Sequence, residues 1–462
     1  MRLLAAVALL LAPATALAQQ DEETRRRQQE AEKLRDLEKR EFFGEPSREF
    51  YLDYGAWLRP GWFSFRDGGG RDVSRFDFDV RLWGDVRYDV HQFYARLRTV
   101  YSHYANEDGP EGRDDVWDGP AGDVVFYQLL LGEWLGDPER WWDLSLRAGR
   151  QYERLGSGLV YNGVGDGLAL RGRLGPVEFD LFGLRSVPQE DDLDASRPTA
   201  DDQNRYFAGG TVSLRAIADH TPFLAVLVER DRADDGDEFQ EYDFDAEYYG
   251  AGIHGQLFLD GLTYEVEGWI QRGSRFAFLQ TGTPEDVRAY AFLASLEYVF
   301  DIPTHPRVRI GYMLGTGDPD RFRITNTALG NTAGTDDEAF LGFGYIPTGY
   351  SLAPLLSNLR IFRAGASWRP LEDVELWELQ FDQLEVGLDF YHYRKDHAGG
   401  GISDPYAGFD DGRIGYEVDF YLHWGVLSDL SVSARMGFFF PGAAYEDDGV
   451  RPFYSFSAVF SF

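Results

Sequence analysis

The chain has 462 residues, with 78 acidic against 45 basic side chains, a formal net charge of −33 and no cysteine. That charge excludes nucleic acid as a partner, because phosphates would meet a net negative surface, and the missing cysteines exclude disulfide staples. Aromatics at 16% and 52 glycines argue against the disorder that charge alone would suggest. Residues 1–18 read as a secretory signal: Arg2 as the basic region, an apolar run from Leu3 to Leu11, and Ala16-Leu17-Ala18 before Gln19. The run is too short to span a bilayer, and no later segment offers about 18 apolar residues in succession. Residues 19–46 form a charged tail of helical character, with Leu34 and Leu37 as the only large apolar side chains from Asp21 to Arg40. It suits a solvated spacer, or a docking helix for a periplasmic export partner.

From residue 47 to 462 the pattern becomes that of strands. Between Arg75 and Tyr88, Phe76, Phe78, Val80, Leu82, Val86 and Tyr88 alternate with Asp77, Asp79, Arg81, Trp83, Asp85 and Arg87. A period of two with charge on one face is not a helix stripe. The same pattern recurs at 50–58, 92–104, 123–134, 142–151, 167–174, 177–185, 205–216, 223–230 and 242–258. It continues at 262–272, 287–300, 307–316, 358–368, 384–394, 413–424, 429–440 and 453–462. The expectation is an all-β, antiparallel up-and-down barrel of 18 transmembrane strands, with 16 as the alternative if weak segments are loops. Short turns at 89–91, 174–176, 259–261 and 425–428 alternate with long polar connections at 59–72, 105–122, 186–204, 273–286, 317–357, 395–412 and 441–452. This alternation puts both termini in the periplasm. Residues 369–383 are long for a periplasmic turn and suit either a gate across the pore mouth or a loosely ordered turn. The last strand carries Tyr454, Phe456, Ala458, Phe460 and Phe462 on one face, a row that needs lipid to cover it. Trp57, Trp134, Trp141, Trp142, Trp368 and Trp424 fall near strand ends, as expected of an aromatic girdle in outer-membrane lipid.

Catalytic patterns are weak. The glycines at 156, 158, 163, 165 and 167 precede a strand and not a helix, so they read as loop chemistry. The acidic run from Asp231 to Glu238 lacks the ligand spacing of a calcium loop, and the eight histidines are scattered. Neither a metal nor a cofactor is expected, and no catalysis. The alternation instead turns Arg81, Arg87, Arg96, Arg98, Arg147, Arg171, Arg173, Arg307, Arg309 and Arg435 inward, among acids that include Asp77, Asp79, Asp180, Glu417 and Asp419. Planar, permanently charged guanidiniums match carboxylates, so arginines left in excess favour passage of carboxylated solutes. Those paired with acids on neighbouring strands only stiffen the wall.

Ala148-Gly149-Arg150-Gln151, followed after a loop by Gly167-Leu168-Ala169-Leu170-Arg171, resembles the Gly-Arg-Gln strand of the alginate-export family of outer-membrane barrels. Ile414-Gly415-Tyr416-Glu417-Val418-Asp419 through Phe438-Phe439-Phe440-Pro441-Gly442 resembles that family's C-terminal block. The resemblance implies a monomeric pore for an anionic uronate polymer, with a basic lumen and occluding loops. A C-terminal Phe on an amphipathic strand also resembles the assembly signal of bacterial outer-membrane proteins. Arg150, Arg171 and Arg173, in or beside the matched block, lead the candidates for the pathway. The expected function is passive passage of an anionic polysaccharide or oligosaccharide through the outer membrane. The alternative is a porin for small solutes, general or selective, with an outer-membrane enzyme ranked lower.

Overall fold

The computed structural model describes residues 50–105, 114–134, 141–187, 204–215, 217–232, 239–277, 279–321, 330–372, 374 and 379–462. The expected signal and charged tail lie outside the described residues. The first strands are β1 (Phe50–Arg66), β2 (Asp72–Tyr88), β3 (His91–Tyr104), β4 (Asp115–Leu130), β5 (Trp142–Arg154) and β6 (Asn162–Leu174). The next are β7 (Val177–Ser186), β8 (Arg205–Leu214), β9 (His220–Asp231), β10 (Phe244–Gln256), β11 (Leu262–Arg275) and β12 (Glu285–Val299). The last are β13 (Arg307–Gly315), β14 (Leu359–Trp368), β15 (Leu384–Lys395), β16 (Arg413–Leu427), β17 (Leu430–Pro441) and β18 (Arg451–Ser461). Every strand pairs antiparallel with its chain neighbours, and β1 also pairs with β18, so the sheet of 18 strands is closed. Among the described residues no helix is long and apolar enough to cross a membrane.

The alternation is inside-out compared with a water-soluble sheet. On β2, Asp77, Asp79, Arg81 and Asp85 are buried while Phe76, Phe78 and Leu82 are exposed. Leu224 (67%), Ile310 (51%) and Phe456 (50%) continue the exposed apolar band on other strands. Lipid covers such a band, and closure leaves no backbone edge in hydrocarbon. Tight connections such as 89–90, 175–176 and 428–429 mark the periplasmic end, and the 316–358 connection lies at the opposite, extracellular end.

Several boundaries differ from the sequence reading, among them that of β6, which begins at Asn162 and takes in Gly163 and Gly165, glycines expected in a loop. Strand β1 runs on through Pro60 and Gly61 to Arg66, so the connection expected at 59–72 shrinks to 67–71. Pro60 stands opposite Phe78 on β2, while the pairing with β18 lapses between Leu58↔Phe460 and Gly61↔Ser457 without a change of register. Proline is tolerated there because its missing N–H falls where the ladder is interrupted. Strand β4 likewise begins at Asp115, inside the connection expected at 105–122.

The apolar core lies within the barrel. Phe182, Leu184, Phe207, Leu227, Phe244, Tyr248 and Trp269 turn inward and pack against Leu159, Val160, Phe340, Leu341 and Ile346 of two inward-folded connections. Leu341 is held at both backbone ends, with Gln271 Oε1 accepting from its N–H at 3.0 Å and Tyr248 Oη donating to its carbonyl at 2.5 Å. Phe343 N–H reaches the Val160 carbonyl at 2.8 Å, which ties the 316–358 and 155–161 connections together. Ser157 N–H donates to Glu267 on β11 at 2.8 Å.

Candidate functional site: the lumen wall

A cluster of arginines on the described lumen wall is built on β1–β4. Asp79 accepts from Arg81 at 2.9 Å, Arg98 at 3.1 Å and Arg59 at 3.4 Å. Asp123 accepts from Arg96 at 2.8 Å and lies 3.7 Å from Arg81. Four guanidiniums thus share two carboxylates on one stretch of wall. Arg81 and Arg98 stand directly opposite each other in the register, a like-charge contact that Asp79 offsets. A second basic patch lies on β13–β15. Arg309 and Arg363 both grip Asp389, at 2.7 and 2.9 Å, and Arg309 also donates to Tyr421 Oη at 2.8 Å.

Elsewhere the balance reverses. Arg171 is shared by Glu153 (2.6 Å) and Asp180 (3.0 Å), and Arg205 by Glu229 (3.0 Å) and Asp231 (2.9 Å). These arginines brace the wall, since a buried pair fixes geometry more than it stabilises. Arg147 lies 4.0 Å over the Phe126 ring and donates to Gln128. Arg435 lies 5.5 Å over Tyr350 of the inward connection. Arg173 is exposed in the inward register between Asp143 and Glu178, and no ion pair involving it occurs among the described residues.

Arg150 is a correction. Arg147 and Arg150 are three residues apart, so one strand cannot turn both inward. Arg150 lies on the face opposite Gln151 and Glu153, in a 2.8 Å pair with Asp166, whose strand neighbour Leu168 is exposed. Its guanidinium therefore lies on the outer face of the barrel. Trp57, expected in the girdle, is also inward: it is buried beside Trp83 with Arg96 over its ring. Glu417 and Asp419 do face inward but lie beneath the 316–358 connection, where Tyr350, Ser351 and Leu352 donate their N–H groups to Glu417.

Arg59 and Arg363 belong to the two basic patches and escaped the sequence reading. Arg59 falls at the start of the connection expected at 59–72, whereas it lies within β1. Arg363 shares its face with Ser367, and counting by twos along β14 identifies it. The 369–383 segment is held at the periplasmic rim: Glu372 pairs with His305 at 2.6 Å, and Phe381 stacks on Trp424. The His305 contact, chiefly, holds the Glu372 carboxyl below the usual range. No group of three or more His, Asp or Glu placed to hold a metal occurs among the described residues.

A closed barrel with a lipid-facing apolar band, charged lumen and inward-folded connections defines an outer-membrane channel. Residues 144–453 match the family described as Alginate export, and the chain belongs to that family. Its fold is similar to that of Pseudomonas aeruginosa OccK8 (OprE), at 10% identity over 89% of this chain and 98% of that one, with a TM-score of 0.55. P. aeruginosa OccK2 (OpdF) is similar at 13% identity over 89% and 97%, TM-score 0.55. Acinetobacter baumannii OccAB1 is similar at 12% identity over 89% and 96%, TM-score 0.53. No curated protein sequence matches the chain. The family assignment points to a channel rather than to an enzyme.

Proposed function

We propose that this outer-membrane channel passes an anionic polysaccharide or oligosaccharide by diffusion along the basic wall of its lumen. The observation that carries the reading is the guanidinium cluster on β1–β4, where Arg59, Arg81, Arg96 and Arg98 converge on Asp79 and Asp123. Fixed charge in a narrow pore selects the counter-ion, because a desolvating solute of like charge meets a barrier that its opposite does not. Arg309, Arg363 and Arg435 extend the basic surface, and Arg173 offers an exposed cation toward the periplasmic mouth. Arg147 and Arg171 support the wall. The family assignment supports a uronate-like cargo. The inward-folded 316–358 connection favours a second reading, a porin for small anionic solutes.

Single-channel recording under a salt gradient tests the charge assignment. Anion selectivity is expected, with Arg98→Gln together with Arg59→Gln moving the reversal potential toward the non-selective value. Cation selectivity in the unmodified channel would sink the proposal. Permeation of uronate monomers with no block by oligouronates would favour the small-solute reading.

A further inference from the structure

The inward faces of β1, β2 and β3 repeat one unit. An aromatic residue and an arginine stand two positions apart on the same face: Trp57 and Arg59, Trp83 and Arg81, Tyr94 and Arg96. Because successive strands run in opposite directions, the order within the unit reverses each time, and every arginine lies on the extracellular side of its ring. Two tiers result. The upper tier is the guanidinium cluster around Asp79 and Asp123. The lower is an arc of near-parallel rings whose centroids step 6.1 Å from Trp57 to Trp83, 6.4 Å to Tyr94 and 5.4 Å to Phe126 on β4. Residues two apart on a strand are about 7 Å apart along it, which sets the separation of the two tiers.

Trp83 is the ring placed to receive a ligand. It is half-buried where Trp57, Tyr94 and Phe126 are buried. It lies against Gly55, where a Cβ would come within 2.9 Å of two indole atoms, so the glycine lets the ring lie flat on the wall. Its exposed part is turned to the lumen, since Trp83 shares the inward face of β2 with Arg81 and Asp85. A pyranose has an apolar face of C–H groups that suits an aromatic π-face, and a uronate adds a carboxylate that suits guanidinium.

We infer that β1–β4 carry a two-tier saccharide subsite, in which the Trp83 ring stacks a sugar face while the arginine tier takes that unit's carboxylate. This rests on the anionic-saccharide reading above and names the substrate feature that reading leaves open, the ring itself. Carboxylate alone would recognise any organic acid; carboxylate above an aromatic platform recognises an acidic sugar.

The test is single-channel recording of the protein with a short oligouronate as blocker, compared with a neutral gluco-oligosaccharide of equal length. Compact migration on unheated gels and ion conductance certify that each variant is folded. Trp83→Ala should shorten oligouronate block about tenfold, the effect of losing one ring contact of ordinary strength, and Trp83→Phe should restore most of it. The neutral oligosaccharide should block briefly, lose that block in Trp83→Ala and keep it in Arg98→Gln. Block times unaltered by Trp83→Ala would overturn the subsite while leaving anion selectivity standing. Block by the neutral sugar with none by the oligouronate would instead overturn the anionic reading, and with it the pairing of the two tiers.

Discussion

Glu417 accepts three consecutive backbone N–H groups of the inward connection, from Tyr350 at 2.6 Å, Ser351 at 2.6 Å and Leu352 at 2.9 Å. Tyr393 Oη adds a longer contact at 3.3 Å. A carboxylate satisfied in this way is an anchor for the connection more than a charge presented to solute. Hydrogen bonds to a charged group are each worth roughly 1.5–3 kcal/mol, and donors left unpaired in a buried place cost more than the bond itself yields. Glu417→Ala should therefore loosen the connection, raising single-channel conductance and adding open-state flicker, while Glu417→Gln, which keeps an acceptor oxygen, falls between. An unaltered conductance in Glu417→Ala would mean that other contacts, such as Ser351 Oγ on the Arg451 carbonyl at 2.6 Å, suffice. The inward direction of Glu417 is legible in the sequence, since parity along β16 dictates it. Its role is not, because the partner lies 67 residues away in a connection with no periodicity.

Among elements, the segment between β14 and β15 is the one whose length the sequence flagged and whose attachment it did not reveal. Its described residues are fixed to the periplasmic rim at both ends. Glu372 accepts from Thr304 N–H at 2.8 Å and contacts His305, while Gln380 N–H donates to the Val426 carbonyl at 3.0 Å and Phe381 stacks on Trp424. Contact with His305, then the Thr304 N–H, lowers the Glu372 carboxyl from its ordinary value of 4.5. A lowered value means that the ionised form is favoured by the folded rim. The contact is therefore fully present above the ordinary value and is lost as pH falls through the lowered one. Hydrogen exchange, corrected for its intrinsic pH dependence, should show protection at 369–372 near neutrality that fades in acid. Glu372→Gln should show weaker protection with no such fading; equal protection in both proteins at both pH values would rule the latch out. Strand existence was legible because period two survives over most of the strand length; it is lost in the first half of β4, where Trp117–Ala121 are all exposed. Strand ends were less so: Pro60-Gly61 has the chemistry of a turn, and only the lapse in pairing with β18 at residues 59–60 lets it sit inside β1.

At the scale of the whole molecule, the seam between β1 and β18 decides whether any of this exists. Its register runs from Trp57↔Ser461 to Phe65↔Phe453, and past its end Ala56 and Phe462 exchange backbone hydrogen bonds at 2.7 and 3.1 Å. The sequence made closure legible through an even strand count and an apolar final strand. It did not disclose the charge pairing within, because which arginine meets which acid depends on register across strands and not on the face each occupies. Arg150 shows the same limit from the other side, having been assigned by motif where parity decides. Removing residues 451–462 would leave β1 and β17 with open edges, and in hydrocarbon each unsatisfied backbone group costs several kcal/mol. That truncation should abolish the compact, heat-modifiable form in detergent. Phe462→Ala is a different matter. The ring is 74% exposed on the lipid side, and the seam's hydrogen bonds come from backbone that alanine retains. Protein refolded from denaturant should therefore keep nearly the wild-type unfolding midpoint with Phe462→Ala, as read by thermal or denaturant melting. A clearly lowered midpoint would instead make the ring a structural part of the seam.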